Sequence, residues 1–184
     1  MKCESTVNFV QGPIVGLRVL GPADVPQWAA WFNTPAVTSH LNKGAFPNTQ
    51  AAQAEFLDRL SRSRNDVQLG IVDQTASLIG IVGLHHIDWV HRHGDISIVV
   101  GETAAHGRGV ATEAIGLMVR HAFLKLNLHK LTAGMWATNT GSRRAFERNG
   151  FQLEGTLRQS FWHGDRFVDE IRLGLLRAEW ETRA

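Results

Sequence analysis

Thr103-Ala104-Ala105-His106-Gly107-Arg108-Gly109-Val110-Ala111-Thr112-Glu113-Ala114 follows a strand-like segment and opens a long amphipathic helix. Two glycines let the backbone turn sharply and come close to a ligand, and the first N–H groups of the helix have no intrahelical partner. Such a turn holds an anion, and a pyrophosphate fits it. What the loop lacks narrows the ligand further. A dinucleotide loop reads G-x-G-x-x-G with an acidic residue about 20 positions on. Here Thr112 stands at the third glycine position and the stretch around Thr132 has no acidic residue. The G-K-[ST] of triphosphate loops occurs nowhere in the chain.

Outward from this loop the pattern is that of a mixed α/β chain. Residues 16–20 read as a first strand closed by Gly21-Pro22. Asp24 is positioned to cap a short helix carrying Trp28, Ala29, Trp31 and Phe32, and Asn48 or Thr49 a second carrying Ala52, Phe56, Leu57 and Leu60. Residues 67–72, 78–87 and 95–100 read as three strands of an antiparallel meander. After the loop, Ala111, Ala114, Ile115, Met118, Val119, Ala122 and Leu126 fall on one helix face. Residues 131–137 form a strand, 141–149 a helix stopped by Gly150, and 151–157 and 167–175 two last strands. That predicts about seven mostly antiparallel strands and about four helices, in a single domain spanning 1–184 with residues 1–13 as a flexible tail. The strand, loop, helix, strand succession from 95 to 137 is a parallel crossover, which leaves ligand room at the carboxyl ends of its strands.

The loop resembles the coenzyme A loop of the GCN5-related N-acetyltransferases (GNATs), [QR]-x-x-G-x-[GA], in the form His106-Gly107-Arg108-Gly109-Val110-Ala111 with His for the usual Gln or Arg. A second match follows at the right separation: Asn139-Thr140-Gly141-Ser142, then Ala145-Phe146-Glu147-Arg148-Asn149-Gly150-Phe151. Within the family the chain is similar to the RimJ/RimL-like branch, through Leu84-His85-His86-Ile87-Asp88-Trp89 and the ending Leu175-Leu176-Arg177-Ala178-Glu179-Trp180. The resemblance implies a GNAT fold whose central parallel strands splay apart, with the pantetheine arm of acetyl-CoA in the gap. Backbone near Val99 and Val100, the loop residues His106 to Thr112, Asn139 and Ser142 would then bind the coenzyme. It implies acyl transfer to a primary amine within a ternary complex.

Catalytic candidates are Ser142, for the departing thiolate, and Asp95, as a base acting through water. The chain has no tyrosine, so Phe146 stands where many relatives carry a phenol, and it has no proton to give. His85, His86, His91 and His93 are other titrating groups. Together with Asp95 they also suggest a metal site, but their spacing defines no tetrahedral set and no metal is expected. Arg143, Arg144 and Arg148 are either phosphate contacts or plain surface. Trp31, His86 and Trp162 are the expected acceptor contacts, with Trp28, Phe32, Trp89, Phe161 and His163 as further candidates for the pocket walls. Six tryptophans offer flat apolar surfaces with indole donors, suited to a sugar, a nucleobase or an aromatic acceptor.

Composition agrees with this reading. The 184 residues are 43% hydrophobic and 20% charged, ordinary globular usage, and a net charge of +2 argues against nucleic acid as a partner. No apolar run approaches the ~18 residues of a membrane helix and Met1 to Thr6 hold no signal-peptide core, so a cytoplasmic protein with no membrane partner is expected. The only cysteine, Cys3, excludes an intrachain disulfide and reads as a free thiol on the tail. The expected acceptor is a small amine such as an amino sugar, nucleotide-linked or free. Protein N-termini and polyamines are alternatives, and a non-catalytic acyl-CoA sensor is an alternative of another class. A homodimer is admitted.

Overall fold

The computed structural model describes residues 7–183. Its single sheet contains β1 (Val10–Gln11), β2 (Gly16–Val19), β3 (Val67–Val72), β4 (Leu78–Asp88), β5 (His93–Val100), β6 (Lys130–Trp136), β7 (Gln152–His163) and β8 (Arg166–Leu176). Their order is β1-β2-β3-β4-β5-β6-β8-β7. The helices are α1 (Val25–Trp31), α2 (Pro35–Thr38), α3 (Gln50–Arg62), α4 (Val110–Leu124), α5 (Thr140–Arg148) and α6 (Arg177–Glu181). The mixed sheet has the expected form, with one strand and two helices more than the sequence pattern indicates. The additions, β1, α2 and α6, are 2, 4 and 5 residues long, too short for a periodicity to show. None of the helices is long and apolar enough to cross a membrane among the described residues.

The only parallel pair among the described residues, β5 with β6, is joined at His93↔Lys130, Gly94↔Leu131 and Asp95↔Thr132 and then parts. Beyond Asp95 each strand runs on without the other, so the two edges form a V closed at Asp95 and Thr132. α4 is the crossover between them. Ala114, Ile115, Met118 and Ala122 are fully buried against Leu131, Ala133, Met135 and Ile96 on one face of the sheet. On the other face, Trp28, Trp31 and Phe32 pack on Leu20, Val72, Leu78 and Ile81, with Phe56, Leu57 and Leu60 of α3 against them. This second layer covers β2 to β4 and reaches the end of β5 at Val99. Ser97 of β5 and Gly134 of β6, on that same face just past the closed end, are exposed.

Local chemistry departs from the sequence reading in several places. Asp24 precedes α1 but does not cap it with its side chain. Its carboxylate takes a bidentate pair from Arg18 (2.6 and 2.8 Å) and the Gly21 N–H (2.8 Å), fastening the β2–α1 turn. Thr49, not Asn48, caps α3 by accepting from the Ala52 N–H (3.1 Å). α4 ends at Leu124 and Leu126 lies beyond it, because the Lys125 and Leu126 N–H groups both close on His121 O and Asn127 takes a left-handed φ of 54°. Within the stretch 1–13 expected as a tail, the described residues from Phe9 on are tied to the sheet. Phe9 donates to Leu17 O, β1 pairs with β2, and Ile14 N–H reaches the Glu113 carboxylate at 2.8 Å. Cys3 lies outside the described residues.

Candidate active site

The loop after β5 shows why glycine is needed twice. Gly107 and Gly109 have φ of +73° and +83°, values that side chains rarely adopt. A Cβ at Gly107 would meet nothing within 4 Å, so the demand there is conformational. Gly109 is the N-cap of α4, and the first intrahelical bond runs from Glu113 N–H to Gly109 O (3.0 Å). The N–H groups of Val110, Ala111 and Thr112 therefore point out of the helix end, an arrangement able to hold an anion by both hydrogen bonds and the helix dipole. Arg108 is exposed on the same turn. His106 folds back, its Nε2 donating to Val100 O at 3.0 Å. Its side chain thus braces the end of β5.

The gap of the V has its own donors and acceptors. Gly101 N–H bonds to Ile79 O in β4. In an antiparallel ladder alternate residues point their polar groups to the same side, so Val99 and Ser97 face β4 and Ile98 and Val100 face the gap. Of the two valines expected to present backbone there, Val100 turns its N–H to the gap, while its carbonyl is taken by His106. Val99 is opposite Ile81 and spends its backbone on β4. Across the gap, Asn139 caps α5 by accepting from Ser142 N–H (3.1 Å). The Ser142 hydroxyl makes no hydrogen bond among the described residues, and Phe146 is buried edge-on against Phe151 at 5.0 Å. Asn149 ties this helix to α4, donating to Thr112 O (2.9 Å) and Ala145 O (2.8 Å). Arg143 pairs with Glu147 (2.7 Å).

On the open face, Asp95 stands at the closed end of the V. Thr132 Oγ1 donates to one carboxylate oxygen, and His86 Nδ1, on an exposed side chain, lies 3.2 Å from the other. Trp31 is buried: its ring lies flat over Gly101, where no Cβ could fit, and its Nε1 donates to Glu102 Oε1 at 3.0 Å. It shapes the end of β5 from within the core, as Trp28 and Phe32 fill the layer behind it. Trp89 is in the β4–β5 turn bonded to Asn65, at the opposite end of the sheet from the glycine loop. Trp162 packs on Phe167, whereas its neighbours Phe161 and His163 turn to the other side of β7 and meet Trp136 at 5.3 and 5.1 Å. The wall beside the V is therefore Trp136, Phe161, His163 and His40, the last 5.5 Å from His163. Burial, with His163 close by, holds the His40 imidazole below its ordinary pKa. Sequence reasoning missed His40 and the wall role of Trp136, since only folding brings the segment after α2 against β6 and β7.

A glycine loop at a helix start, next to a parallel pair that opens toward it, is the arrangement expected of an acyl-coenzyme A site. The model of the acetyltransferase (GNAT) domain family matches residues 15–152. The chain belongs to this family. Members use acetyl-CoA, and the activity of this chain is that of an N-acetyltransferase, an acyltransferase. Among its relatives, YdaF of Bacillus subtilis, provisionally named a ribosomal N-acetyltransferase, is 30% identical over 155 residues, 84% of this chain and 79% of its own. The spermidine N(1)-acetyltransferase of Vibrio cholerae serotype O1 is 29% identical over 114 residues, covering 62% of this chain and 65% of that one. The crystal structure of spermidine N-acetyltransferase from Vibrio cholerae in complex with CoA and spermine shares the fold, with a TM-score of 0.83 at 23% identity over 91% of this chain and 98% of that one.

Proposed function

We propose that the chain, as one domain, acetylates small primary amines by direct transfer from acetyl-CoA. The observation that carries this reading is the V between β5 and β6, open beside Ser97 and Gly134 on one face and ending at the glycine loop. The amides of residues 106–112 take the pyrophosphate, and Ile98 and Val100 pair with the pantetheine arm as a neighbouring strand would. Asn139 and Ser142 stand across the gap. The amine approaches from the open face, so the two reactants meet at the apex. Holding them there supplies roughly 7–11 kcal/mol, against ~10²–10⁴-fold for a single acid or base, and positioning therefore dominates. At the apex the amine nitrogen bonds to the acetyl carbon as the C–S bond breaks, and the thiolate leaves toward Ser142.

The stacked Trp136 and Phe161 with His163 and His40 form a wall suited to the apolar face of a sugar ring. An amino sugar is accordingly the acceptor we favour. A polyamine is the second reading, favoured by the similarity to the spermidine enzyme. Thiol release from acetyl-CoA, followed with amino sugars, their nucleotide-linked forms, spermidine, and peptides with free N-termini, decides between them. Turnover with amino sugars is expected. Turnover with peptides alone would overturn the small-amine reading, and binding of acetyl-CoA without transfer to any amine would point to a sensor.

A further inference from the structure

Three side chains from three strands or their edges meet beside the apex. Ser97 Oγ is 3.0 Å from His85 Nε2, and His85 Nδ1 is 3.1 Å from Asp66 Oδ1. Asp66 is itself fixed: Ser63 Oγ donates to its other oxygen at 2.7 Å, and the His86 N–H to Oδ1 at 3.3 Å. Desolvation pushes the Asp66 carboxyl up, yet these hydrogen bonds outweigh it and hold the group below its ordinary pKa. The line is possible only because residue 83, directly opposite Ser97, is glycine: a Cβ there would overlap the His85 ring. Ser97 is exposed on the open face one alternation past the last β5–β6 pair, whereas His85 and Asp66 also line a separate cavity of about 560 Å³ with Arg59, Arg62 and His86. The imidazole thus connects the apex to a second opening.

We propose that Asp66, His85 and Ser97 form a proton relay that deprotonates the acceptor amine. The proposal rests on acetyl transfer at the apex as described above. With the Asp66 carboxylate accepting Nδ1–H, neutral His85 keeps its lone pair on Nε2, facing the Ser97 hydroxyl. The acceptor ammonium gives a proton to Ser97 Oγ as the hydroxyl proton of Ser97 passes to His85 Nε2. The amine is left neutral, the serine unchanged and the imidazole cationic beside Asp66. His85 then loses its proton to water through the cavity, and the freed amine pair forms the N–C bond. Ser97 is the group that touches the acceptor, and Asp66 is a positioning residue. The other charged or titratable groups facing His85 are His86, Asp95 across the β4–β5 ladder, and Arg59 and Arg62 of α3.

Two readouts test it, one independent of turnover. Nitrogen chemical shifts of the ligand-free enzyme should show neutral His85 protonated at Nδ1, and Asp66→Asn should remove that preference. With an amine found by the thiol-release screen, Ser97→Ala and His85→Gln should each lower kcat about 10²-fold or more with acetyl-CoA affinity unchanged. The acid limb of the pH profile, which levels to a plateau in the wild type, should become a continuous rise with hydroxide. Gly83→Ala, which displaces the ring, should do the same in part. Wild-type kcat and pH profile in both Ser97→Ala and His85→Gln, an Nε2–H tautomer, or an acid limb lost in Asp95→Asn alone would overturn the relay. A wild type that transfers to no amine defeats the functional reading instead, and the tautomer then decides whether the relay exists.

Discussion

Ser142 is placed by two local facts, the Asn139 cap that binds its N–H and the free hydroxyl that remains. Phe146 is buried against Phe151 and has no proton to donate. If Ser142 assists the departing thiolate, Ser142→Ala lowers kcat by roughly one to three powers of ten with coenzyme affinity nearly intact, since the lost contact belongs to the transition state. Turnover, affinity and denaturant midpoint measured on one preparation check this. Normal turnover with a lower midpoint would leave Ser142 as a first-turn residue of α5 only. The Asn139 cap over the Ser142 N–H was legible in the sequence because their spacing within one helix start is local. The Ser97, His85 and Asp66 line was not, because its hydrogen bonds span 12 and 19 residues and depend on strand register. Trp31 and Trp162 illustrate the same limit. A tryptophan near a site is visible in a sequence, but the face it turns to is decided by the packing of α1 and by the bulged alternation of β7.

At the scale of elements, the long periodic ones were readable and the short or irregular ones were not. α4 and the strands β3 to β6 are recognisable from apolar pattern alone. β7 runs to His163 instead of closing at 157, because register shifts between Leu153/Gly155 and Leu157/Phe161, with Gln159 at φ 52°, interrupt its alternation. The glycine loop was readable because its constraint is a backbone one. Gly109 caps α4 at φ +83° with the side chain of Ile14 3.4 Å from where its Cβ would stand. Gly109→Val puts a β-branched residue into a left-handed conformation at a cost of order 1–3 kcal/mol and tilts the amides of residues 110–112. Calorimetric titration of the folded variant should show acetyl-CoA affinity reduced at least tenfold. Unchanged affinity would remove the phosphate role from this turn.

Across the whole molecule, the β5–β6 seam divides the sheet into β1 to β5 on one side and β6 to β8 on the other. Among the described residues, three ladder pairs join the two halves, with the His129 and Lys130 N–H groups closing on Arg92 O just before them. What holds them together is the core under α4, where Met118, Ile115 and Phe123 are fully buried against residues of both halves. With no gap in that core, the chain should unfold in one transition, seen at the same temperature by tryptophan fluorescence and far-UV circular dichroism. Acetyl-CoA held in the seam, as proposed, would bind only the folded state. At a free concentration one hundredfold above its Kd it adds about 2.7 kcal/mol, which for a chain of this size raises Tm by roughly 5–10 °C. With affinity lower by tenfold or more, Gly109→Val should gain about 1.4 kcal/mol or less at the same concentration, half the rise or smaller. Separate transitions for the two halves without ligand would show that the seam bounds independently folding units. A full rise in the Gly109→Val protein would mean that acetyl-CoA is held elsewhere than the glycine loop.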